Sequence, residues 1–321
     1  MVDVLVILDG ASEPLGAEPT SLELACTPAL DALAVAGTLS RLRTVAPWLE
    51  AGSEAAIPAL LGWIPHAPVD RGAVEAAAHG IEPAPGERAW RVDVSTAAGE
   101  RADAVTTRCA AAELQAGAPR HRVRPLAGHR LLMTGPPPLP AAACRPRLAP
   151  WPEGAVPPRL LGRGTVVIGA RGAAIGVARL MGAATIVPAG TTGQPGSDLA
   201  AKAAAGVTAI EGGAGRVVVH VGGPDEAAHA CDRAAKIAAV EQADRDLIAS
   251  LAAAVRAADG TLRVCPDHGC DPATGAHDAA PVPCLDWSGG DGPATGRRLT
   301  ERAVAELPVV ELAGILQAEA A

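Results

Sequence analysis

The chain has 321 residues, of which 49% are hydrophobic and 19% are charged, and its formal net charge is −8. This length suits one large domain or two smaller ones, and the hydrophobic content is that of an ordinary soluble globular protein. The negative charge argues against a general nucleic-acid-binding role, which depends on clustered positive charge. The chain lacks Phe, Tyr and Asn and contains two lysines, Lys202 and Lys236, a bias that we attribute to a GC-rich genome.

The N-terminal segment and the cysteines bear on localisation. The opening sequence MVDVLVILDG has neither the basic region nor the cleavage site of a signal peptide, and no apolar run reaches the roughly 20 residues that cross a bilayer. The seven Cys are odd in number and include no CxxC pair, which favours reduced thiols over a disulfide framework. We therefore expect a cytoplasmic protein without membrane segments.

The first part of the chain has the pattern of an α/β fold. Residues 2–8 form an apolar run, typical of a buried strand, that ends at Asp9. Residues 27–36 have helical spacing, with Thr27 as the predicted N-cap. Ser53 follows a glycine and precedes an apolar-rich run, so we predict a helix that begins at Ser53.

Residues 65–157 differ from their surroundings. They are rich in Arg, contain short strand-like segments at 89–94 and 129–135, and end in a proline-dotted stretch. Such a change in composition indicates a separate region followed by a linker. We predict an inserted α+β cap subdomain, which would interrupt a discontinuous catalytic domain formed by residues 1–64 and 158–321.

Strands and helices alternate again after residue 164. The predicted strands cover residues 165–170, 184–189, 216–221 and 261–265. The predicted helices between them cover residues 176–182, 198–210 and 226–257. This alternation predicts a mostly parallel sheet that is covered by helices on both faces.

Candidate metal ligands follow the predicted strands. Ligands in open α/β sheets bind at the carboxyl ends of strands. Asp225 and His229 are four residues apart at the start of a helix, so one helical face would present both to a single cation. Two such cations can clamp the attacking and leaving oxygens of a phosphoryl transfer. The full candidate set has three carboxylates and three imidazoles: Asp9, Asp225, Asp267, His229, His268 and His277.

Each of these signals has an ordinary alternative. An Asp and a His four apart on a helix usually form a solvated face, Asp-Gly after a strand is usually a turn, and a Ser at a helix start is usually an N-cap. Cys265 and Cys270 flank the Asp267-His268 pair and are alternative ligands. The joint order of the signals, each at a strand end or a helix start, favours a metal site.

Five segments spread over almost the whole chain resemble one family. They are VLVILDG, TSLELACTPALDALAVAGTLSRL, GSEAAIPALLGW, HVGGPDEAAHACDRAAKIAAVEQAD and CPDHGCDPATGAHDAAPVP, the last of which is similar to the family pattern T.DHSTP...H..DPVP. Together they resemble the archaeal-type, cofactor-independent (2,3-bisphosphoglycerate-independent) phosphoglycerate mutases of the alkaline phosphatase superfamily. The resemblance implies an alkaline-phosphatase-like sheet.

The resemblance also implies a set of site residues. Ser53 would be phosphorylated during the reaction. Two divalent metal ions, Mn²⁺, Zn²⁺ or Mg²⁺, would be bound, the first by Asp225, His229 and His277 and the second by Asp9, Ser53, Asp267 and His268. Substrate contacts would come from Arg71, Arg91, Arg130 and Lys202, since Arg side chains suit carboxylate and phosphate groups.

The implied activity is the glycolytic isomerisation of 3- and 2-phosphoglycerate through a phosphoserine. The chain departs from the family pattern at residues 54–57 after Ser53, lacks the family lysine in residues 173–178, and has a reduced insert. A two-metal phosphatase or phosphonate hydrolase therefore stays open, as does a mutase-like enzyme of specialised metabolism that acts on another small phosphate or phosphonate. A non-catalytic binding protein is disfavoured, because no ligand is missing. The expected partner is a small phosphorylated carboxylate, without nucleic acid or membrane, and the oligomeric state is open.

Overall fold

The computed structural model describes residues 1–290 and 297–312. The chain divides into two compact units, which we call the sheet unit and the insert. The sheet unit comprises Met1–Pro65 and the chain from Pro158 onward, and the insert comprises His66–Pro157. The first of these boundaries differs by one residue from that expected on composition, and the second coincides with it.

The strands are short and occur in both units. In chain order they are β1 (Asp3–Leu8), β2 (Thr38–Arg43), β3 (Arg88–Val94), β4 (Arg122–Pro125), β5 (Arg130–Gly135), β6 (Leu148–Pro150), β7 (Thr165–Ile168), β8 (Ala184–Ile186), β9 (Arg216–Val221), β10 (Thr261–Cys265), β11 (Gly269–Cys270), β12 (His277–Asp278), β13 (Val282–Trp287) and β14 (Val309–Glu311).

The helices follow the strands in the alternation expected of an α/β fold. They are α1 (Ser21–Leu24), α2 (Pro28–Ala36), α3 (Ser53–Leu60), α4 (Arg71–Ala78), α5 (Ala104–Gly117), α6 (Ala173–Met181), α7 (Leu199–Glu211), α8 (Gly223–His229), α9 (Arg233–Ala243), α10 (Ala249–Ala257) and α11 (Glu301–Val304), with a 3₁₀ helix at Ala141–Cys144 and a π-helical turn at Asp244–Ile248. Of the helices that the structure describes, none is long and apolar enough to cross a membrane.

The sheet unit is built on one mostly parallel sheet with the strand order β14-β2-β13-β10-β1-β9-β7-β8. β13 runs antiparallel to β2 and β10, and the other neighbouring pairs are parallel. Val4, Val6 and Leu8 of the central strand β1 join a core cluster with residues of α2, α7 and α10, while Leu5 and Ile7 are buried on the opposite face. The predicted α/β class with a mostly parallel sheet is confirmed.

The insert has a core of its own. Its sheet has the order β4-β5-β3-β6, and every neighbouring pair is antiparallel. Trp90, Leu131 and Met133 form one buried cluster with Leu114 of α5. On the other face, Leu132 packs with Ala76 of α4 and with Ala89. The insert is therefore α+β, as predicted.

Two helical predictions are wrong in detail. Thr27 occupies the N-cap position of α2, as predicted, but its hydroxyl donates to Asp31 Oδ1 (3.2 Å) and accepts no hydrogen bond from the first helical N–H groups. The N–H groups of Ala29 and Leu30 donate instead to the carboxylate of Asp244, at 3.1 and 2.7 Å. This cap comes from a distant part of the chain, so local sequence does not reveal it.

The single helix predicted for residues 226–257 is also wrong. The chain forms α8, breaks before α9, and passes through the π-helical turn into α10. Cys231 lies at the break in a left-handed conformation, with φ of 54°. Neither Gly nor Pro marks this break in the sequence, but Asp232 begins the next helix, since its side chain accepts a hydrogen bond from the Ala235 N–H.

Candidate metal centre

The centre is assembled around Asp9 and Gly10 at the carboxyl end of β1. Gly10 has φ of 58°, and a Cβ atom at this position would lie 2.5 Å from Asp225 Oδ1 and 3.0 Å from Asp225 Cα. Glycine therefore satisfies both the backbone conformation and the close approach of Asp225. The Gly10 N–H donates to Asp267 Oδ1 at 3.1 Å. The turn after β1 thus brings three predicted ligands together.

Ser53 is the first residue of α3 and is half-buried. Its hydroxyl donates to Asp9 Oδ1 at 3.1 Å and lies 3.4 Å from His268 Nε2. The residue at the N-cap position is Gly52, so Ser53 is not the cap of its helix. Its side chain faces the candidate ligands instead.

The first metal group contains Asp225, His229 and His277, as the resemblance implied, together with Cys270. One ligand atom from each lies within 4.8 Å of the others. His229 Nε2 is 3.3 Å from Asp225 Oδ2, and His277 Nε2 is 3.3 Å from Asp225 Oδ1. The two Nε2 atoms are 3.0 Å apart. His277 Nδ1 is 2.9 Å from the carbonyl oxygen of Ala51, which can only accept. Nδ1 therefore carries a proton, so that Nε2 is the ring nitrogen that would bind a cation in the group.

The second metal group lies around Asp9, Asp267 and two histidines. His268 Nε2 is 3.4 Å from Asp9 Oδ1 and 3.6 Å from Asp267 Oδ2, while its Nδ1 donates to the carbonyl of Gly269 at 3.0 Å. His220 Nε2 is 3.1 Å from Asp9 Oδ2. The ligand atoms of Asp9, His220 and Asp267 lie within 4.8 Å of one another.

His220 was not among the predicted ligands. It lies within β9, in the apolar run RVVVHV, and is 9% exposed. Its only signal in the sequence was a polar residue in an otherwise apolar buried strand, one residue before the strand end. The pairing of β9 with β1 brings this imidazole to Asp9. The sequence alone does not reveal that these two strands are neighbours in the sheet.

Three atoms of the centre are buried without a hydrogen-bond partner: His220 Nε2, Asp225 Oδ1 and Asp267 Oδ2. Leaving a buried polar atom unpaired costs about 1–3 kcal/mol, and more for charged groups. Each of these residues belongs to a candidate metal group, so cations bound at the two groups would satisfy the three atoms. The carboxylate and imidazole donors also match the ligands that divalent Mn and Zn accept. The residues present fit two divalent cations.

Protonation compensates the charge of the centre when no cation is bound. Burial and the charge of Asp225 act to raise the pKa of Asp9, but the adjacent imidazoles of His220 and His268 hold it well below its ordinary range. Burial and the Asp9 charge raise the pKa of Asp267 to about 6. Although burial acts to lower it, the charges of Asp267 and Asp9 raise the pKa of His268 to about 10. Bound cations would take over the role of these protons.

The predicted substrate arginines Arg71 and Arg91 lie in the insert, where carboxylates surround them. Arg91 donates to both oxygens of Asp93, at 2.8 and 3.0 Å, and to Glu75 at 3.1 Å. Arg71 forms an ion pair of 3.5 Å with Glu75. Both guanidinium groups lie over the ring of Trp151, at 5.2 and 4.9 Å from its centre. We call these five residues the arginine cluster; its contact with a substrate stays a prediction.

The other two predicted substrate residues are placed differently. Arg130 is the first residue of β5, is half-buried, and lies opposite Asp93 of β3. Lys202 has no exposed surface, and its ammonium donates to the carbonyl of His220 at 2.8 Å. Burial lowers the pKa of Lys202 to about 8. Lys202 thus presents no surface to a substrate in this structure and instead holds the strand that carries His220.

Comparison with known proteins gives matches of different extent. The Archaeoglobus fulgidus 2,3-bisphosphoglycerate-independent phosphoglycerate mutase 1 is 39% identical over 98 residues, which are 30% of this chain and 24% of that protein. The Methanopyrus kandleri 2,3-bisphosphoglycerate-independent phosphoglycerate mutase is 25% identical over an alignment of 350 residues that covers 84% of this chain and 82% of that protein.

Two solved structures share the fold. The PH0037 protein from Pyrococcus horikoshii matches with a TM-score of 0.81 and 22% identity, over 99% of this chain and 96% of that one. The cofactor-independent phosphoglycerate mutase from Thermoplasma acidophilum matches with a TM-score of 0.58 and 16% identity, over 99% and 98%. The alkaline-phosphatase-like fold expected from the motifs is confirmed. The similarity to the cofactor-independent phosphoglycerate mutases is likewise confirmed. Residues 1–307 match the metalloenzyme superfamily, and the chain therefore belongs to this family.

Proposed function

We propose that this metalloenzyme is a phosphotransferase that interconverts 3- and 2-phosphoglycerate through a phosphoserine on Ser53. The supporting observation is the position of the Ser53 hydroxyl, which donates to Asp9 and lies beside His268. A nucleophile is normally activated by groups within hydrogen-bond reach. The half-buried position of Ser53 leaves it accessible to a small substrate.

The two metal groups supply the ligands for this chemistry. Asp225, His229 and His277 would hold the first cation, and Asp9, Ser53, Asp267 and His268 the second. When bound, the cations would lower the pKa of the serine hydroxyl and neutralise charge on the phosphoryl oxygens. Asp9 orients the hydroxyl through the hydrogen bond that it accepts at 3.1 Å.

The reaction balances without water. Ser53 Oγ bonds to phosphorus and loses its proton, while the bond between phosphorus and the C3 oxygen breaks and that oxygen takes up a proton. The glycerate then turns, and its C2 hydroxyl attacks the phosphoserine, so that Ser53 regains its proton. The intermediate must exclude water for the isomer rather than free phosphate to form.

A second candidate is a two-metal phosphatase or phosphonate hydrolase, or a mutase-like enzyme of specialised metabolism for another small phosphate or phosphonate. The arginine cluster favours it, because Glu75 and Asp93 already neutralise the charges of Arg71 and Arg91. Side chains whose charges are compensated attract an anionic substrate less strongly.

A paired assay distinguishes these candidates. Metal-loaded protein is given 3-phosphoglycerate, and 2-phosphoglycerate and free phosphate are followed separately. We expect the isomer without phosphate. Phosphate alone would support the hydrolase, and neither product, with intact metal binding, would point to another substrate.

A substitution tests the covalent step. Ser53→Ala removes the only atom that can carry the phosphoryl group in this proposal, so we expect activity to fall by at least about a thousandfold. Ser40→Ala, in strand β2, is the matched control and should keep wild-type activity. Full activity in the Ser53 variant would rule out the phosphoserine.

A further inference from the structure

Cys270 lies within the first metal group although no family pattern assigns it there. It is directly opposite His277 in the antiparallel pair of β11 and β12. Side chains of opposite residues in such a pair lie on the same face. The Cys270 thiol therefore points to the same place as the His277 imidazole, and its Sγ lies within 4.8 Å of the ligand atoms of Asp225, His229 and His277.

The backbone of Cys270 is held firmly in this position. Its N–H donates to the carbonyl of Ser12 at 2.8 Å, and Lys236 Nζ donates to its carbonyl at 2.6 Å. Lys236 is fully buried and also donates to the Ser12 carbonyl (3.1 Å) and to Glu13 (3.2 Å). A ligand that is positioned before the cation arrives loses little conformational entropy on binding.

The donor set of the group is otherwise incomplete. Asp225 Oδ1 is buried without a hydrogen-bond partner, and the Nε2 atoms of His229 and His277 converge at 3.0 Å. Three protein ligands leave one position of a tetrahedral zinc site open, and a zinc ion with four protein ligands can still expand to five-coordinate when a phosphoryl oxygen binds. Cys270 is fully buried and has the remaining protein donor atom of this group.

The other buried cysteines are placed differently. Cys265 and Cys284 are in side-chain contact with each other, and neither belongs to the metal groups formed by the described residues. Cys270 also stands where the family pattern T.DHSTP has Thr, so its thiol is a feature of this chain rather than of the family pattern.

We propose that Cys270 is a fourth ligand of the first metal group and that its thiolate makes this group selective for Zn²⁺ over Mn²⁺ and Mg²⁺. On binding, the thiol releases its proton to solvent and a metal–sulfur bond forms, with no change of oxidation state. Thiolates favour Zn²⁺, whereas carboxylate and water ligands suit Mn²⁺ and Mg²⁺. The second group contains only oxygen and nitrogen donors, so the centre holds two chemically different metals. This inference rests on the proposed two-metal function.

Cobalt substitution tests the proposal without an activity assay. The full chain is freed of metal and titrated with Co²⁺, while the near-ultraviolet thiolate-to-cobalt charge-transfer band and the number of bound ions are measured. We expect the band in the wild-type protein and in Cys284→Ser, which keeps every proposed ligand and removes an equally buried thiol. We expect Cys270→Ser to lose the band while still binding cobalt at the second group.

Affinity provides the second readout. We expect Cys270→Ser to weaken Zn²⁺ binding at the first group by about a hundredfold, because even indirect partners of metal ligands contribute about 10–100-fold. Mn²⁺ affinity should change by less than about threefold, because oxygen donors serve this ion. A melting curve without metal verifies that the variant is folded.

Each remaining outcome overturns the inference. Two bound cobalt ions without a thiolate band in the wild-type protein would exclude Cys270 as a ligand and leave the proposed function intact. A band that survives in Cys270→Ser would assign it to another thiol. A wild-type protein that binds no divalent ion would overturn the inference and the proposed function together.

Discussion

The metal centre of the sheet unit and the arginine cluster of the insert both bury charged side chains, but they satisfy them differently. In the metal centre, three polar atoms are buried without a hydrogen-bond partner. In the arginine cluster, Arg91 donates to Asp93 and Glu75, which compensate its charge within the protein. Burying charge is tolerable only when partners replace water. The metal centre thus requires a ligand from outside, whereas Arg91 of the arginine cluster finds its partners within the protein.

This difference distinguishes two roles of buried charged residues, ligand binding and stabilisation of the fold. Asp9, Asp225 and Asp267 converge on a small volume although their charges repel, which costs free energy in the absence of a cation. Arg71 and Arg91 alternate with carboxylates, which stabilises the insert itself. The converging carboxylates indicate a site that binds cations. The alternating charges of the arginine cluster indicate that it stabilises the insert, and a bound substrate would compete with Glu75 and Asp93 for the same guanidinium groups.

The largest effect is expected from Asp9→Asn. The Asp9 carboxylate lies within ligand distance of two sets of donors, His220 with Asp267 and Asp225 with His268, so the variant should lose the stabilisation that metal provides. That stabilisation is about 4 kcal/mol for one ion at a thousandfold excess over its dissociation constant. Urea unfolding with and without Zn²⁺ or Mn²⁺ measures it. Asp3→Asn, at the other end of β1, should keep the metal effect, and an unchanged metal effect in Asp9→Asn would contradict the assignment.

The second effect concerns the arginine cluster. Arg91→Ala removes the guanidinium that the buried Glu75 and the half-buried Asp93 share, and we expect a loss of about 3 kcal/mol in the free energy of unfolding. The control is Arg43→Ala, because the ion pair of Arg43 with Glu311 is more exposed and should contribute at most about 1 kcal/mol. Urea unfolding compares the two. Equal losses would show that the arginine cluster does not stabilise the insert.

The smallest effect is the acid sensitivity that Asp93 gives to the insert. Burial acts to raise the pKa of Asp93, but hydrogen bonds with His129, Arg91 and Trp151 hold it well below its ordinary value of 3.8. The folded protein therefore binds fewer protons here than the unfolded chain. The stabilisation is complete above pH 3.8 and is lost as the pH falls through the lower folded pKa.

Asp93→Asn removes this titration. The difference in unfolding free energy between the wild type and the variant should be about 1–2 kcal/mol near neutral pH and should shrink as the pH falls below about 4. Unfolding curves at a series of acidic pH values measure it. A difference that does not depend on pH would argue against the depressed pKa of Asp93.

The sequence predicted those site residues that mark the ends of elements. Asp9 ends an apolar run, Asp267 and His268 follow another, and Ser53 opens a helix, so the sequence pattern singled out all of them as candidates. The spacing of Asp225 and His229 fits one helical turn, which the geometry of α8 preserves. These features are local, and local patterns are what a sequence displays.

The remaining features depend on strand pairing and on contacts between separate parts of the chain. His220 was missed because its role follows from the pairing of β9 with β1. Cys270 was only an alternative ligand, because its position opposite His277 depends on the register of β11 and β12. The predicted cap Thr27 was replaced by Asp244, more than two hundred residues away.

The burial of both lysines has a consequence for the covalent chemistry of the surface. Lys202 and Lys236 are the only lysines of the chain, and neither has exposed side-chain surface. Their ammonium groups hold backbone carbonyls beside the metal centre. Acetylation, ubiquitination and amine-directed cross-linking therefore find no lysine on the folded protein, and modification of either lysine reports that the structure behind the metal centre has opened.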